Sequence, residues 1–199
     1  MNEGWATFWH HTIMTDLHEM DLVDDGMYLE FLHSHTGVVA QPTFDSKYYN
    51  GGFNPYALGL TIYQDIKRMC DNPTEEDRKW FPDIAGKPWL PTLKDAMENH
   101  KDEGFILQYL SPKVIRDMHL FTVLDDDRNK NLYITAIHDD EGYKEIRRIL
   151  SEQYNLGSRE PRSEVADDNY RGDRSLTLQH SSHNRKPVDE RDMKEVLKH

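Results

Sequence analysis

Apolar positions in the first two thirds of the chain recur at helical spacing. Trp5, Trp9, Ile13, Leu17 and Met20 fall three or four residues apart, which predicts a helix from Glu3 to Met20 with these side chains and Ala6 on one arc. Glu3 and His10, seven residues apart, share the edge of that arc. Asp24 and Asp25 are placed to cap a second helix carrying Tyr28, Phe31, Leu32 and His35 on one face. "TGVVAQPTFDSKYYNGGFNP" reads as a loop rich in turn residues. A third helix fits "PYALGLTIYQDIKRMC", with Pro55 in its first turn. In "NPTEEDRKWF", Thr74 can cap a fourth helix with Asp77 at its third position. "LPTLKDAMENH", "DEGFILQYL" and "SPKVIRDMHLF" predict three more short helices.

The pattern changes after "DDDRNKN" (125–131), which reads as an acidic turn. "LYITAIH" (132–138) is β-rich, and "EGYKEIRRILSEQY" (141–154) is an amphipathic helix with Ile146, Ile149, Leu150 and Gln153 on the period. "RSEVADDNY" (162–170) and "RSLTLQHSS" (174–182) read as strands joined by the turn "RGD", and "VDERDMKEVLKH" (188–199) as a last helix. The predicted fold class is a mainly α N-terminal part, 1–122, followed by an α+β C-terminal module, 131–199. The order βαββα describes a ferredoxin-like unit lacking its last strand. Both ends are therefore expected to be truncated, the first part at its N-terminus and the module at its C-terminus.

Composition narrows the function classes. The formal net charge of −12 disfavours nucleic-acid binding, because an acidic surface repels phosphates. One cysteine, Cys70, excludes an internal disulfide and, without a signal peptide, points to a reducing, cytoplasmic setting. Cys70 itself reads as a packing residue. No apolar run approaches the ~20 residues of a membrane helix, so no membrane insertion is expected.

Eleven histidines are the first sign of chemistry. Adjacent His10 and His11 diverge by about 100° on a helix, and His33 and His35 diverge as well. His35 lies on the apolar face and also reads as a buried, hydrogen-bonded core residue. Glu30 and His33 make one E-x-x-H pair, where a di-iron bundle needs two. Glu3 reads either as an acid complementing a helix dipole or as a metal ligand. Glu3 and His10 stand two turns apart, roughly 10 Å along the axis, so a metal held through both needs donors from other segments. H-E-x-x-H, Walker A, G-x-S-x-G and G-x-G-x-x-G motifs are missing. The "RGD" at 171–173 reads as a hairpin turn and "HNRKP" (183–187) as a solvated basic loop.

Read in order, "MNEGWATFWH", "EFLHSHTGVVAQP", "NPYALG", "DIKR", "PTEEDRKWFPDIAG", "KDEGFI", "LSPKVIRD", "LDDDR", "GDRSLTL" and "EVLKH" resemble the SpoVR-like family (stage V sporulation protein R). The resemblance runs over essentially the whole chain. It implies that this is the middle and C-terminal part of a longer protein, with Met1 an internal methionine. It further implies a link to spore cortex formation or, in bacteria that do not sporulate, to a stress response. The implied partners are a PrkA-type serine protein kinase and a von Willebrand-like protein.

"NEGWA" is similar to the "NEGFA" of gluzincin aminopeptidases, whose glutamate is the third zinc ligand. On that likeness Glu3 is implied as a metal ligand. The other donors would be two histidines from an upstream "HVYGH"-type stretch that this chain does not contain and that lacks the general-base glutamate of H-E-x-x-H. Gly104 stands where "KDESFI" has serine. Two readings follow. One is a gluzincin-like, zinc-dependent hydrolase with Glu3 on the metal and His10, His33 and His35 as catalytic neighbours that orient water or move its proton. In that reading zinc belongs to the longer protein, and this chain alone holds none tightly. The other is a non-catalytic regulatory or scaffold protein acting with the kinase.

Overall fold

In a computed structural model, the structure describes residues 1–41, 53–121, 123–126, 129–134, 136–155, 162–181, 189–196 and 198. The chain divides into two compact units, Met1–Ser151 and Glu152–His199.

The first unit is built from helices α1 (Asn2–Glu19), α2 (Asp25–Val38), α3 (Pro55–Asp71), α4 (Glu75–Trp80), α5 (Trp89–Asn99), α6 (Asp102–Tyr109) and α7 (Pro112–Asp117). A hairpin of β1 (Val123–Asp126) and β2 (Asn129–Ile134) follows, then α8 (Asp140–Tyr154), whose last turn crosses the unit boundary. Most helix starts follow the local chemistry expected of them. The Asp24 side chain accepts from the Met27 amide at 2.9 Å. Asn54 caps α3 ahead of Pro55, and the Ser111 hydroxyl accepts from the Val114 amide at 3.0 Å. Thr74 and Asp77 form a reciprocal capping box on α4. Thr74→Ala removes both the cap and a hydroxyl that donates to Asp77. It is expected to lower stability by about 1–2 kcal/mol, read as a lower urea midpoint at unchanged m-value.

Helix α3 is the centre of this unit. It packs against α1, α5 and α7, and α1 also packs on α2. Tyr63, Ile62, Ile66 and Met69 of α3 are buried with Leu93, Phe105, Leu110, Ile115 and Ile146. Cys70 is among these buried residues; burial pushes its thiol pKa up, so it packs rather than reacts.

The face that α1 buries differs from the predicted arc. Gly4, Thr7 and Phe8 are buried, whereas Ile13 and Met20 are 51% and 65% exposed. The cause is a backbone crossing. A Cβ at Gly4 would lie 2.4 Å from the Gly59 backbone of α3, and one at Gly59 would lie 2.7 Å from the Gly4 Cα. Close approach on the small-residue face outweighs the wider apolar stripe. Trp5 and Trp9 still contribute, as edge contacts 5.5 Å apart, with Trp5 5.4 Å from the Tyr63 ring. At Gly104 a Cβ would meet only the His100 ring at ordinary distance, so nothing steric stands against serine there.

The mainly α part and the later α+β elements are both seen, but the strands pair differently from a ferredoxin-like unit. Strand structure begins at Val123, and β1 runs into the segment read as an acidic turn (125–131). The antiparallel register is Val123↔Ile134, Leu124↔Tyr133 and Asp126↔Asn129. Acidic residues are poor strand formers, and hairpin pairing overrode that preference.

In the second unit β3 (Arg162–Asp167) pairs antiparallel with β4 (Thr177–Ser181), and α9 (Glu190–Val196) follows. Among the described residues the strands thus form two separate two-stranded sheets, not one sheet shared across a helix. Each strand takes its sequence neighbour, for which the closed loop is short and the entropic cost low. The "RGD" turn lies in the β3–β4 connection, with Gly172 at φ 71°. "HNRKP" and most of the long loop before α3 lie outside the described residues.

Candidate functional site

Glu3 stands in the first turn of α1, exposed, one residue from the Gly4–Gly59 crossing. The crossing fixes the helix end that carries it. The Tyr56 hydroxyl, from the first turn of α3, donates to the Glu3 carboxylate, and this raises the tyrosine pKa above its ordinary value. Tyr56 was not legible as a partner, because the pairing depends on where α1 and α3 cross.

His10 lies two turns further along α1. It meets Phe31 edge-on at 4.8 Å and the His35 ring at 6.4 Å. His11, on the same helix, comes closer to His35, at 5.2 Å. His35 is 8% exposed and packs on Phe31 at 5.3 Å. Its pKa is lowered, first by burial and then by the charges of His11 and His10. Three imidazoles therefore gather around Phe31 where α1 meets α2. Two of them, His10 and His35, are sequence candidates; His11 is an addition. His33 is exposed on α2, as is Glu30, so the E-x-x-H pair faces solvent. Among the described residues no group of three His, Cys, Asp or Glu side chains is placed to hold a metal ion. Glu3 therefore belongs to no such group among the described residues.

A second polar constellation went unrecognised in the sequence. Arg68 donates through Nε to Asp65 and through both Nη atoms to Asp77, each at 2.7 Å. Ser111 donates to the other Asp65 oxygen at 2.6 Å, and the Thr74 amide and hydroxyl donate to Asp77 at 2.7 and 2.6 Å. Asp65 and Asp77 are 4% and 3% exposed. Burial alone would raise the Asp77 pKa; the Arg68 and Thr74 donors outweigh it and hold the carboxyl well below the usual range. The lattice ties α3 to α4 and α7. It borders a cleft of about 480 Å³, whose lining includes Thr74, Glu76, Lys113 and Arg116. The cations of that cleft are already paired. Lys113 meets Asp117, and Arg116 grips Glu76 in a two-pronged contact and donates to Tyr143 at 3.1 Å. Glu3, His10, His33 and His35 do not line it.

Among the described residues no helix is long and apolar enough to cross a membrane.

Comparison with known proteins adds the following. Residues 1–159 match the family described as SpoVR like protein, and residues 161–199 match the SpoVR-like C-terminal domain. A protein of Escherichia coli (strain K12), described as Uncharacterized protein YcgB, is 60% identical over 199 residues. The match takes in 100% of this chain and 39% of that relative's length. No solved structure matches the chain.

Proposed function

The chain belongs to the SpoVR-like family, and from that premise we propose that Glu3 is one ligand of a metal-dependent, hydrolase-like site. Its remaining donors would come from parts of the longer protein outside this chain. The observation that carries the reading is the setting of Glu3. Its carboxylate is exposed, at a helix end fixed by the Gly4–Gly59 crossing, and its described partner is one tyrosine hydroxyl rather than a cation. A carboxylate held by backbone packing, with lone pairs to spare, suits a coordinating role. A bound zinc ion would supply Lewis acidity to such a site.

His10 shares the Glu3 face of α1, and His35 faces His10 across the α1–α2 contact. Both suit neighbours that orient a water or accept its proton. His33, exposed on α2, has the least structural support of the three.

The test is the metal content of the full-length protein with and without Glu3→Gln. Near-stoichiometric metal in the parent and a loss of at least tenfold in the variant, at unchanged far-UV circular dichroism, are expected. Equal metal in both would remove Glu3 from the ligand set. On the 199-residue chain, zinc titration is expected to give no tight one-to-one isotherm.

The second reading is a non-catalytic scaffold acting with a serine protein kinase. It draws on large apolar side chains that α1, α2 and their link leave more than half exposed, among them Met20, Leu22 and Leu29. No metal in either full-length form would favour it.

A further inference from the structure

The α1–α2 contact has two chemically different ends. At one, His18 stacks on Tyr28 with ring centroids 4.2 Å apart and meets the Asp25 carboxylate at 2.9 Å. At the other end are His10, His11 and His35 around Phe31. The groups bearing on the charge of His35 are His11 and His10 from α1, and no carboxylate among the described residues offsets them. A proton gained at this end puts charge into a buried site facing two further imidazoles, which both desolvation and like-charge repulsion oppose.

We propose that this histidine cluster is an acid-sensitive latch: mild acidity loosens the α1–α2 contact at its Phe31 end while the Tyr28 end holds. The sign follows from linkage. His35 binds a proton less readily in the closed contact than in an opened one, where it returns toward its ordinary value of 6.5. The closed contact therefore has its full stability above pH 6.5 and loses it as the pH falls below that, toward the lowered value. Opening uncovers Phe31 and draws His35 away from His10 and His11. The proposal does not depend on any metal, and its readout is separate from metal content.

Hydrogen exchange of the 199-residue chain at pH 7.5 and 5.5, corrected for the intrinsic pH dependence of exchange, provides the test. Amides of α2 are expected to lose protection by up to about tenfold per pH unit below 6.5, the limit for one proton. Amides of α3 serve as the internal reference and are expected to hold theirs. His35→Gln keeps a polar side chain that cannot take the proton, and its α2 protection is expected not to vary with pH. If that variant does not fold, His11→Gln removes the nearer facing ring and is expected to shrink the pH response. Equal α2 protection at both pH values in the parent would overturn the latch. So would a fall of the same size in α3, or in the variants.

Discussion

Gly4→Ala is expected to destabilise the helical unit by about 3 kcal/mol, the upper part of the range for overpacking a close contact. The added methyl would lie 2.4 Å from Gly59 backbone atoms. Backbone cannot rotate away as a flexible side chain can, so the two helices must separate. The separation would pull Phe8 and Trp5 off Tyr63, whose ring they meet at 6.1 and 5.4 Å. Gly59→Ala meets the same crossing from the other side and is expected to act alike. Gly37→Ala is the control, since a Cβ there has nothing within 4 Å. In a helix, that change is expected to be neutral or to stabilise by up to about 1 kcal/mol. Denaturant midpoints for the three variants decide the matter; similar midpoints for Gly4→Ala and Gly37→Ala would mean that the helices do not cross this closely. A displaced α1 would also move Glu3 from Tyr56. The glycine of "NEGWA" thus serves the glutamate beside it by fixing where its helix lies.

Arg68→Met is expected to cost about 3–5 kcal/mol, the range for breaking a buried ion pair from one side. The loss is larger than that of a surface pair because Asp65 and Asp77 would remain buried, facing each other without their shared guanidinium. Surface pairs such as Lys144–Glu141 contribute far less, because water screens both charges. The pH dependence has a definite sign. The Asp77 pKa is depressed in the folded chain, so its contribution is complete above the ordinary aspartate value of about 3.9 and is lost as the pH falls further. The parent is therefore expected to lose stability on acidification below about pH 4, and Arg68→Met to lose less of it over the same interval. Thermal unfolding from pH 6 to 3 measures both. A variant with unchanged melting temperature at pH 6 would show that the lattice contributes nothing net.

Local chemistry was legible where it closes over a few residues. The helices from α1 to α8 begin within about two residues of where periodicity and caps placed them, because a cap or a proline acts on its own turn. Thr74 with Asp77, and Pro55, are read from neighbours alone. The ordered strings from "MNEGWATFWH" to "EVLKH" were also enough to indicate the family. His35 was legible as a buried residue of the α2 face, since Phe31 and His35 follow the helical period.

Other features depended on contacts between segments distant in sequence. Periodicity assigned α1 the arc from Trp5 to Met20, and the fold buried Gly4, Thr7 and Phe8 instead. Hydrophobicity measures what a face gains from burial, whereas the approach distance depends on the partner, here Gly59, 55 positions away. The meeting of His11 with His35, the Tyr56 hydroxyl on Glu3, and the junction of Asp65, Arg68, Asp77 and Ser111 have the same origin. Apart from Arg68–Asp65, an i,i+3 pair on α3, the partners come from different helices, and no spacing within one helix encodes their meeting. Strand pairing was decided in the same way: Val123–Asp126 is too acidic to stand out as a strand, and pairing with Asn129–Ile134 satisfies backbone groups along one of its edges. The sequence by itself thus determined the helices, the caps at Asp24 and Thr74, and the family. Tertiary packing decided which faces were buried and which polar groups met, because those depend on the separation of helices and the geometry of closure rather than on local preference.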